Sequence, residues 1–312
     1  MKDSEKTLAE LFDFYAPEDK QDFFIAYLYL KHTDRFVNAV LRTLGMKTVP
    51  LASSPGYESV DELLEAYVKQ IAIAAPSRDT NIYHGKVVRH EEARKLVTID
   101  EPLRWRVPER VMPFAVARDV ILEVPGAIAL GRCPCRMNQP EPCLPPEEQE
   151  TCLIMGDPFA SFIAAHNPLF RLCARDEALA VLEKARGRHD VHTAYFKKEF
   201  GRRLMAICNC CSCCCMGMIM WNRLKGAVPF LAPSGYVSCV TEECTGCGAC
   251  ASSCPFHAIT LDEDASRAKV DASICMGCGV CRDLCPCGGI ELRRDPSRGE
   301  PLDIELKDNL QY

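Results

Sequence analysis

Cysteine dominates the chemistry available to this chain, with 21 copies among 312 residues. Cysteines are absent from residues 1–132 and then occur in three batches, at 133–173, 208–215 and 239–287. Thiolates in such number can form disulfides, bind zinc or hold iron–sulfur clusters. The spacing within each batch therefore decides which chemistry the sequence predicts.

The third batch contains the pattern C-x2-C-x2-C-x3-C-P twice. The first copy consists of Cys244, Cys247, Cys250, Cys254 and Pro255. The second copy lies 31 residues later and consists of Cys275, Cys278, Cys281, Cys285 and Pro286. Three closely spaced thiolates can hold three corners of a cubane from one loop, while a more distant cysteine supplies the fourth ligand. Glycines within the loops let the backbone approach a cluster and direct amide N–H groups at its sulfurs. Zinc accepts C-x2-C pairs, but it does not explain the triple run, so the pattern favours iron–sulfur clusters.

Over about 60 residues this segment resembles the bacterial 2[4Fe-4S] ferredoxins. The resemblance implies two [4Fe-4S] clusters with crossed ligation, one held by Cys244, Cys247, Cys250 and Cys285 and the other by Cys275, Cys278, Cys281 and Cys254. It also implies two pseudo-symmetric halves with short strands at Ala258 to Leu261 and Ala268 to Asp271. Cys287 departs from the family pattern, and we predict a small buried residue there rather than a ligand.

The first two batches predict an additional metal site. Cys133 and Cys135 would share one face of an extended segment, and a four-thiolate site that they form with Cys143 and Cys152 is sterically conceivable. If the second batch is helical, it brings Cys208, Cys211 and Cys215 onto one face. We predict a third iron–sulfur cluster or metal ion, with these ligands: Cys133, Cys135, Cys208, Cys211 and Cys215.

Several other residues of the cysteine-rich region are predicted to have no role in metal binding. Buried thiols pack as small hydrophobes, which is the prediction for Cys152, Cys173 and Cys239. The nearby histidines lack a metal-ligand spacing, so hydrogen-bonded or solvated side chains are predicted for His166, His189 and His192. A C-x-C-R loop, an N-C-C-x-C-C-C run and a dicluster ferredoxin are together similar to uncharacterised iron–sulfur proteins of anaerobic bacteria, a resemblance that implies no reaction.

The elements that position these cysteines are predicted from apolar periodicity. Helical spacing occurs from Leu8 to Tyr15 and from Leu63 to Ile71, the second run preceded by a capping box of Ser59 and Glu62. A loop or small β element is predicted between residues 75 and 111, including the run 96–99, and a helix at 112–124. Residues 127–130 predict a buried strand that leads into the first cysteines, and residues 177–186 predict a helix capped by Asp176 and Gly187.

We therefore predict an α+β protein in three parts. Residues 1–130 form a mainly helical region. Residues 131–232 form a cysteine-rich region, either separate or one domain with the preceding part. Residues 235–295 form a small, pseudo-symmetric, ferredoxin-like domain that holds the two clusters.

Composition limits the functions of such a protein. The net charge of -6 disfavours nucleic acid as a partner. The uncharged stretch from Leu204 to Asn222 is rich in cysteine, which argues against a membrane span. The acidic N-terminus lacks a signal peptide, which predicts a cytoplasmic protein.

The predicted function is electron transfer with a redox partner protein. One alternative is an iron–sulfur reductase whose extra metal site binds substrate, and another is a redox or metal sensor. Whether the protein is an enzyme stays open at this point.

Overall fold

The computed structural model describes residues 3–51, 57–74, 84–99, 104–106, 121–123, 126–201, 203–224, 231–262, 264 and 266–305. Within these ranges the helices are α1 (Asp3–Asp13), α2 (Lys20–Lys31), α3 (Thr33–Thr43), α4 (Tyr57–Ala74), α5 (His90–Thr98), α6 (Pro134–Met137), α7 (Phe159–His166), α8 (Arg175–Gly187), α9 (Met216–Leu224), α10 (Ala249–Ser253) and α11 (Val280–Asp283). The strands are β1 (His84–Val87), β2 (Arg104–Arg106), β3 (Ile121–Glu123), β4 (Ile128–Arg132), β5 (Glu150–Met155), β6 (Phe170–Cys173), β7 (Val191–Phe196), β8 (Leu204–Cys210), β9 (Leu231–Ala232), β10 (Tyr236–Val240), β11 (Ile259–Asp262), β12 (Arg267–Val270) and β13 (Ile290–Arg294).

Seven of these strands form one sheet in the order β6-β4-β5-β8-β7-β1-β9. Its strand pairs are antiparallel except for β1 and β9, which are parallel. Successive side chains of a strand point to opposite faces, so Leu153 and Ile154 belong to two different apolar clusters. Helices α1, α2 and α7 contribute to one cluster and α5 and α8 to the other. The sheet is thus buried between helices on both faces, which explains why β7 is buried along its whole length.

The α+β composition is confirmed, but the N-terminal and cysteine-rich part, which was predicted to be mainly helical, contains a seven-stranded sheet. Strands β1 and β4 pair with strands that follow residue 131, so the sheet crosses the predicted limit between the first two parts. The domain limits themselves remain predictions. No helix within the described ranges is long and apolar enough to cross a membrane.

Several local predictions are corrected by this architecture. Residues 96–98 end helix α5 instead of forming a β element, because Leu96 and Val97 share the buried helix face with Ala93, three and four residues earlier. Strand β3 lies where the sequence predicted a helix over 112–124, and residues 112–120 lie outside the described ranges. Run 208–215 is not helical, because β8 ends at Cys210 and α9 begins only at Met216.

Helices are confirmed in the three segments where apolar periodicity predicted them, at α1, α4 and α8. The predicted caps are wrong. Ser59 lies inside α4, two residues after its first residue. Ala174 occupies the N-cap of α8, so that Asp176 and Gly187 both lie within the helix.

The C-terminal module consists of two similar halves. Strand β10 pairs antiparallel with β13, and β11 with β12, as the strands predicted at 258–261 and 268–271 require. Helices α10 and α11 each follow a glycine with positive φ, Gly248 and Gly279. The buried Lys86 of β1 donates to the backbone oxygens of Pro233 and Glu300 at 2.5 and 2.8 Å. This side chain therefore joins the sheet to both ends of the module.

Candidate metal centres

The first ferredoxin-type group combines three cysteines of the first motif with one of the second. These four line one cavity: Cys244, Cys247, Cys250 and Cys285. The wall of this cavity also includes the half-buried Cys287 that follows the second motif. The loop can wrap around the cavity because Gly246 has φ +69 and approaches the Ser266 backbone so closely that an added Cβ would lie 2.1 Å from its carbonyl oxygen. Four thiols facing a space approached by side-chain-free backbone fit the ligand set of a cubane.

The second group has the reciprocal composition. It consists of Cys275, Cys278, Cys281 and Cys254. Burial raises the pKa of the Cys278 thiol, and the neighbouring charges of Cys281 and Cys254 add to that rise. Negative charges crowded in this way repel each other, and bound iron would relieve the repulsion. Both groups have the three-plus-one composition that crossed ligation requires, while ligation itself remains a prediction.

Backbone amides point at equivalent sulfurs in the two halves. The N–H of Ala258 donates to Cys254 Sγ at 3.3 Å, and the N–H of Gly289 donates to Cys285 Sγ at 3.2 Å. In each half the donor follows the cysteine by four residues. Hydrogen bonds to ligand sulfur stabilise the more negative, reduced state of a cluster, so the repeat provides the same stabilisation twice.

One hydroxyl makes the two groups unequal. Ser238 Oγ lies 3.1 Å from Cys281 Sγ and 3.7 Å from Cys275 Sγ, and the Ser238 N–H donates to Cys275 at 3.5 Å. At the cavity of the first group the wall contains Thr245, whose hydroxyl donates to Cys287 Sγ at 3.9 Å rather than to a motif cysteine. Ser238 thus gives two sulfurs of the second group a hydroxyl contact that Thr245 does not give the first.

The first two cysteine batches meet in a set that we call the buried thiol group: Cys133, Cys135, Cys210 and Cys215. A hydrogen bond from Cys135 lowers the pKa of Cys133, and hydrogen bonds from Cys135 and Cys210 lower the pKa of Cys215, while the pKa values of the donors Cys135 and Cys210 are raised. Cys133 and Cys215 are therefore the members that favour the thiolate, which is the metal-binding form. Cys133 and Cys135 are not on an extended segment as predicted, because Pro134 begins helix α6 between them.

Four further cysteines form a second set, the outer thiol group: Cys143, Cys211, Cys213 and Cys214. All four sulfurs lie within 4.8 Å of one another. The sulfur of Cys143 lies 3.4 Å from that of Cys211 and 3.7 Å from that of Cys214. Cys143 and Cys213 are exposed, while Cys214 is buried. This set lies at the surface, at the point where the chain turns from β8 towards α9.

The structure thus brings only some of the predicted ligands of the third site together. Cys133, Cys135 and Cys215 lie in the buried thiol group. Cys208 reaches that group through Cys210 and also contacts Cys152, its partner across β5 and β8. Cys211 lies in the outer thiol group instead.

The predicted ligands of the third site did not include Cys210, Cys213 or Cys214, because a helical arrangement of residues 208–215 puts Cys208, Cys211 and Cys215 on one face. Cys143 entered the prediction only as a conceivable partner of Cys133, Cys135 and Cys152. The C-x-C-C spacing of Cys211, Cys213 and Cys214 around the small Ser212 was the signal of a metal-binding turn.

Arg136 is the cation next to both sets of thiols, and its side chain is 1% exposed. Its guanidinium donates to three oxygens at 2.8–2.9 Å, those of Thr151, Asn209 and Asp190. The Nε atom also donates to Cys143 Sγ at 3.5 Å. Burial favours a lower pKa for Arg136, but the negative charges of Cys133 and Asp190 outweigh it and raise the pKa. Arg136 therefore stays positively charged beside the thiolates.

His192 lies in a hydrogen-bonded chain rather than at a metal-ligand position. Its Nδ1 is 2.7 Å from Asn209 Oδ1, and its Nε2 is 3.1 Å from His90 Nδ1. His90 Nε2 in turn lies 3.0 Å from a carboxylate oxygen of Glu183. The Asn209 amide nitrogen donates to a backbone carbonyl, so its Oδ1 accepts and His192 Nδ1 donates. Burial lowers the pKa of His192 to about 4. Both ring nitrogens are occupied, in agreement with the hydrogen-bonded histidine that the sequence favoured.

Comparison with known proteins identifies one segment. The family model of the 4Fe-4S dicluster domain matches residues 243–289. Searches of curated proteins and of solved structures returned no significant match. The match supports a ferredoxin-type, iron–sulfur-binding segment near the C-terminus.

Proposed function

We propose that the chain transfers electrons through two [4Fe-4S] clusters in its C-terminal module. The observation that carries this proposal is the pair of thiol groups, each with three cysteines from one motif and the fourth from the other. When bound, each cluster accepts and releases one electron. The chain contributes the thiolates and the amides of Ala258 and Gly289 that donate to them.

We propose that a redox partner docks on this module through a basic surface. Glu242, Glu243 and Asp264 are exposed at the module, and Asp262 is partly exposed. Opposite charges on two proteins speed their encounter and orient them. Acidic side chains beside a cluster would therefore favour a partner with lysines or arginines around its own redox centre.

We also propose a third centre, an iron–sulfur cluster or a metal ion, at the buried thiol group. Its support is the hydrogen-bonded contact between Cys135 and Cys215, which joins the first two cysteine batches. Cys210 and Cys215 are buried while Cys133 and Cys135 are half-buried, so such a centre would be partly shielded from solvent. Electron transfer to this centre from the C-terminal module is the role that we assign to it.

A reductase is the second candidate function, and one cavity favours it. A space of about 380 Å³ lies between α3 and α4, with Arg35, Asn38 and Val49 in its wall. Asn38 and Val49 both contact Asn138, three residues after Cys135. Cavities of this size hold small ligands. A small molecule that enters there and alters the EPR signal of the third centre would favour a reductase over a simple electron carrier.

The test uses the full chain purified under anaerobic, iron-replete conditions. The C-terminal module should contribute about eight iron and eight acid-labile sulfide, since each cubane contains four of each. Reduction should give EPR signals from two clusters that interact magnetically because they share one small domain. If the full chain binds only zinc under these conditions, the proposal fails.

Single substitutions test the crossed ligation. Cys285→Ala should remove the cluster of the first motif, and Cys254→Ala that of the second. Cys287→Ala is the matched control, because its sulfur lies 3.7 Å from that of Cys285 and lines the same cavity, while its position falls outside both motifs and the proposal assigns it to neither ligand set. Both clusters should survive in the control variant. Loss of the first-motif cluster in Cys254→Ala would overturn the assignment.

A further inference from the structure

We propose that the outer thiol group is a separate, mononuclear site for a divalent, thiophilic cation such as zinc or ferrous iron. A tetrahedral ion with metal–sulfur bonds of about 2.3 Å holds its ligands about 3.8 Å apart. The sulfur separations of 3.4, 3.6 and 3.7 Å match that tetrahedron. A cubane binds each thiolate through a different iron, so its thiolates lie farther apart. The observed spacing therefore selects one ion rather than a cluster.

Local structure explains why four thiols meet here. Cys211, Cys213 and Cys214 lie in a single turn, closed by the hydrogen bond from Cys215 N–H to the Cys211 carbonyl at 3.1 Å. The fourth sulfur, that of Cys143, comes from the loop between α6 and β5. The pairing of β5 with β8 places that loop beside the turn. Gln139, in the same loop, donates to the Cys214 carbonyl at 3.4 Å and joins the two segments.

The charges around the site suit an anionic complex. Four thiolates around a divalent cation carry a net charge of about -2. Arg136 donates to Cys143 Sγ, and its partner Asp190 is also paired with Arg188, at 3.2 Å. Two arginines against one carboxylate leave a net positive charge beside the thiolates. Because Arg136 is buried, solvent does not screen this attraction strongly.

The position of the site defines what the ion does. Its ligands from 211 to 214 lie between Cys210 and Cys215, the two members of the buried thiol group on this part of the chain. An ion at the outer thiol group would fix the turn that connects them. It would also join that turn to the loop of Cys143. The role is structural, and the exposure of Cys143 and Cys213 allows the ion to enter from solution.

Metal and sulfide analysis of the full chain tests this proposal independently of the electron-transfer proposal. Every cubane contains equal iron and sulfide, so clusters add nothing to the excess of iron plus zinc over acid-labile sulfide, and the outer ion should add about one per chain to it. Cys213→Ala changes an exposed side chain and should lower the excess by about one with sulfide unchanged. Cys143→Ala, in a separate segment, should do the same. Cys173→Ala is the matched control, because Cys173 belongs to none of the four thiol groups, and the excess should persist.

Cobalt provides a second measurement. After a chelator has removed the outer ion, one Co²⁺ per chain should restore the site with the visible absorption of a tetrahedral thiolate complex, and Cys213→Ala should abolish that absorption. An excess near zero in the unmodified chain would overturn the proposal. So would a loss of about four sulfides in Cys213→Ala, since that result identifies a cubane. Retention of the ion by Cys143→Ala would equally exclude the four-thiolate site.

Discussion

Replacing Gly246 by alanine should displace the loop of the first motif, because the added Cβ would collide with the Ser266 backbone. The positive φ of Gly246 does not by itself reveal this collision. The added Cβ would lie 2.1 Å from the carbonyl oxygen of Ser266 and 2.7 Å from its carbonyl carbon. Since Cβ contacts under 3.0 Å essentially never occur, the loop and the Ser266 backbone have to separate by about 0.9 Å. Neither atom belongs to a flexible side chain that can rotate away. The contact therefore forces a backbone movement at the cavity of the first thiol group.

Gly288 isolates the steric cost, because it has nearly the same dihedral angle in open space. Its φ is +68 against +69 for Gly246, and nothing lies within 4 Å of its added Cβ. Both alanines should cost about 1–2 kcal/mol for the left-handed conformation. The backbone contact should add about 1–3 kcal/mol to the Gly246 variant alone. Its melting temperature should consequently be lower than that of the Gly288 variant, by on the order of 5 °C.

The assay is anaerobic thermal unfolding, followed by circular dichroism and by the visible absorption of the clusters. We expect Gly246→Ala to lose cluster absorption at a lower temperature than Gly288→Ala, and to be purified with less iron. Equal melting temperatures and equal iron contents in the two variants would refute the steric reasoning. The dihedral angle would then account for the whole effect.

Two further predictions concern single polar side chains. Ser238→Ala should lower the reduction potential of the second cluster by on the order of 20–40 mV, because a hydrogen bond to a ligand sulfur is lost. An EPR-monitored redox titration measures this potential, and an unchanged value would contradict the role of Ser238. His192 should make stability depend on pH, because burial lowers its pKa to about 4 from the ordinary 6.5 of a histidine. Neutral His192 contributes about 3 kcal/mol to the free energy of unfolding above pH 6.5. This contribution is lost as the pH falls towards 4, because in that range the imidazole takes up a proton in the unfolded chain but not in the folded one. Urea unfolding between these pH values should show this slope, and His192→Gln should flatten it.

The sequence alone identified the ferredoxin-type module because its ligands are local. Three of the four cysteines proposed for each cubane lie in one loop of seven residues, so their spacing along the chain is also their arrangement in space. The same loop needs glycine where the backbone approaches Ser266, and this requirement is visible as Gly246. The fourth ligands, Cys254 and Cys285, followed from the family resemblance, since spacing along one copy does not indicate an exchange between copies.

In the cysteine-rich region, tertiary structure decided which cysteines lie together. Residues 208–215 look uniform in sequence, but the end of β8 at Cys210 turns the chain so that Cys210 and Cys215 face inward while Cys211 turns outward. That turn depends on strand pairing with β5 and β7, whose residues lie far away in sequence. Strand pairing is a non-local interaction that a linear pattern does not encode. The division of one cysteine run into two thiol sets is therefore a consequence of the sheet, because the sheet fixes where the strand ends and the turn begins.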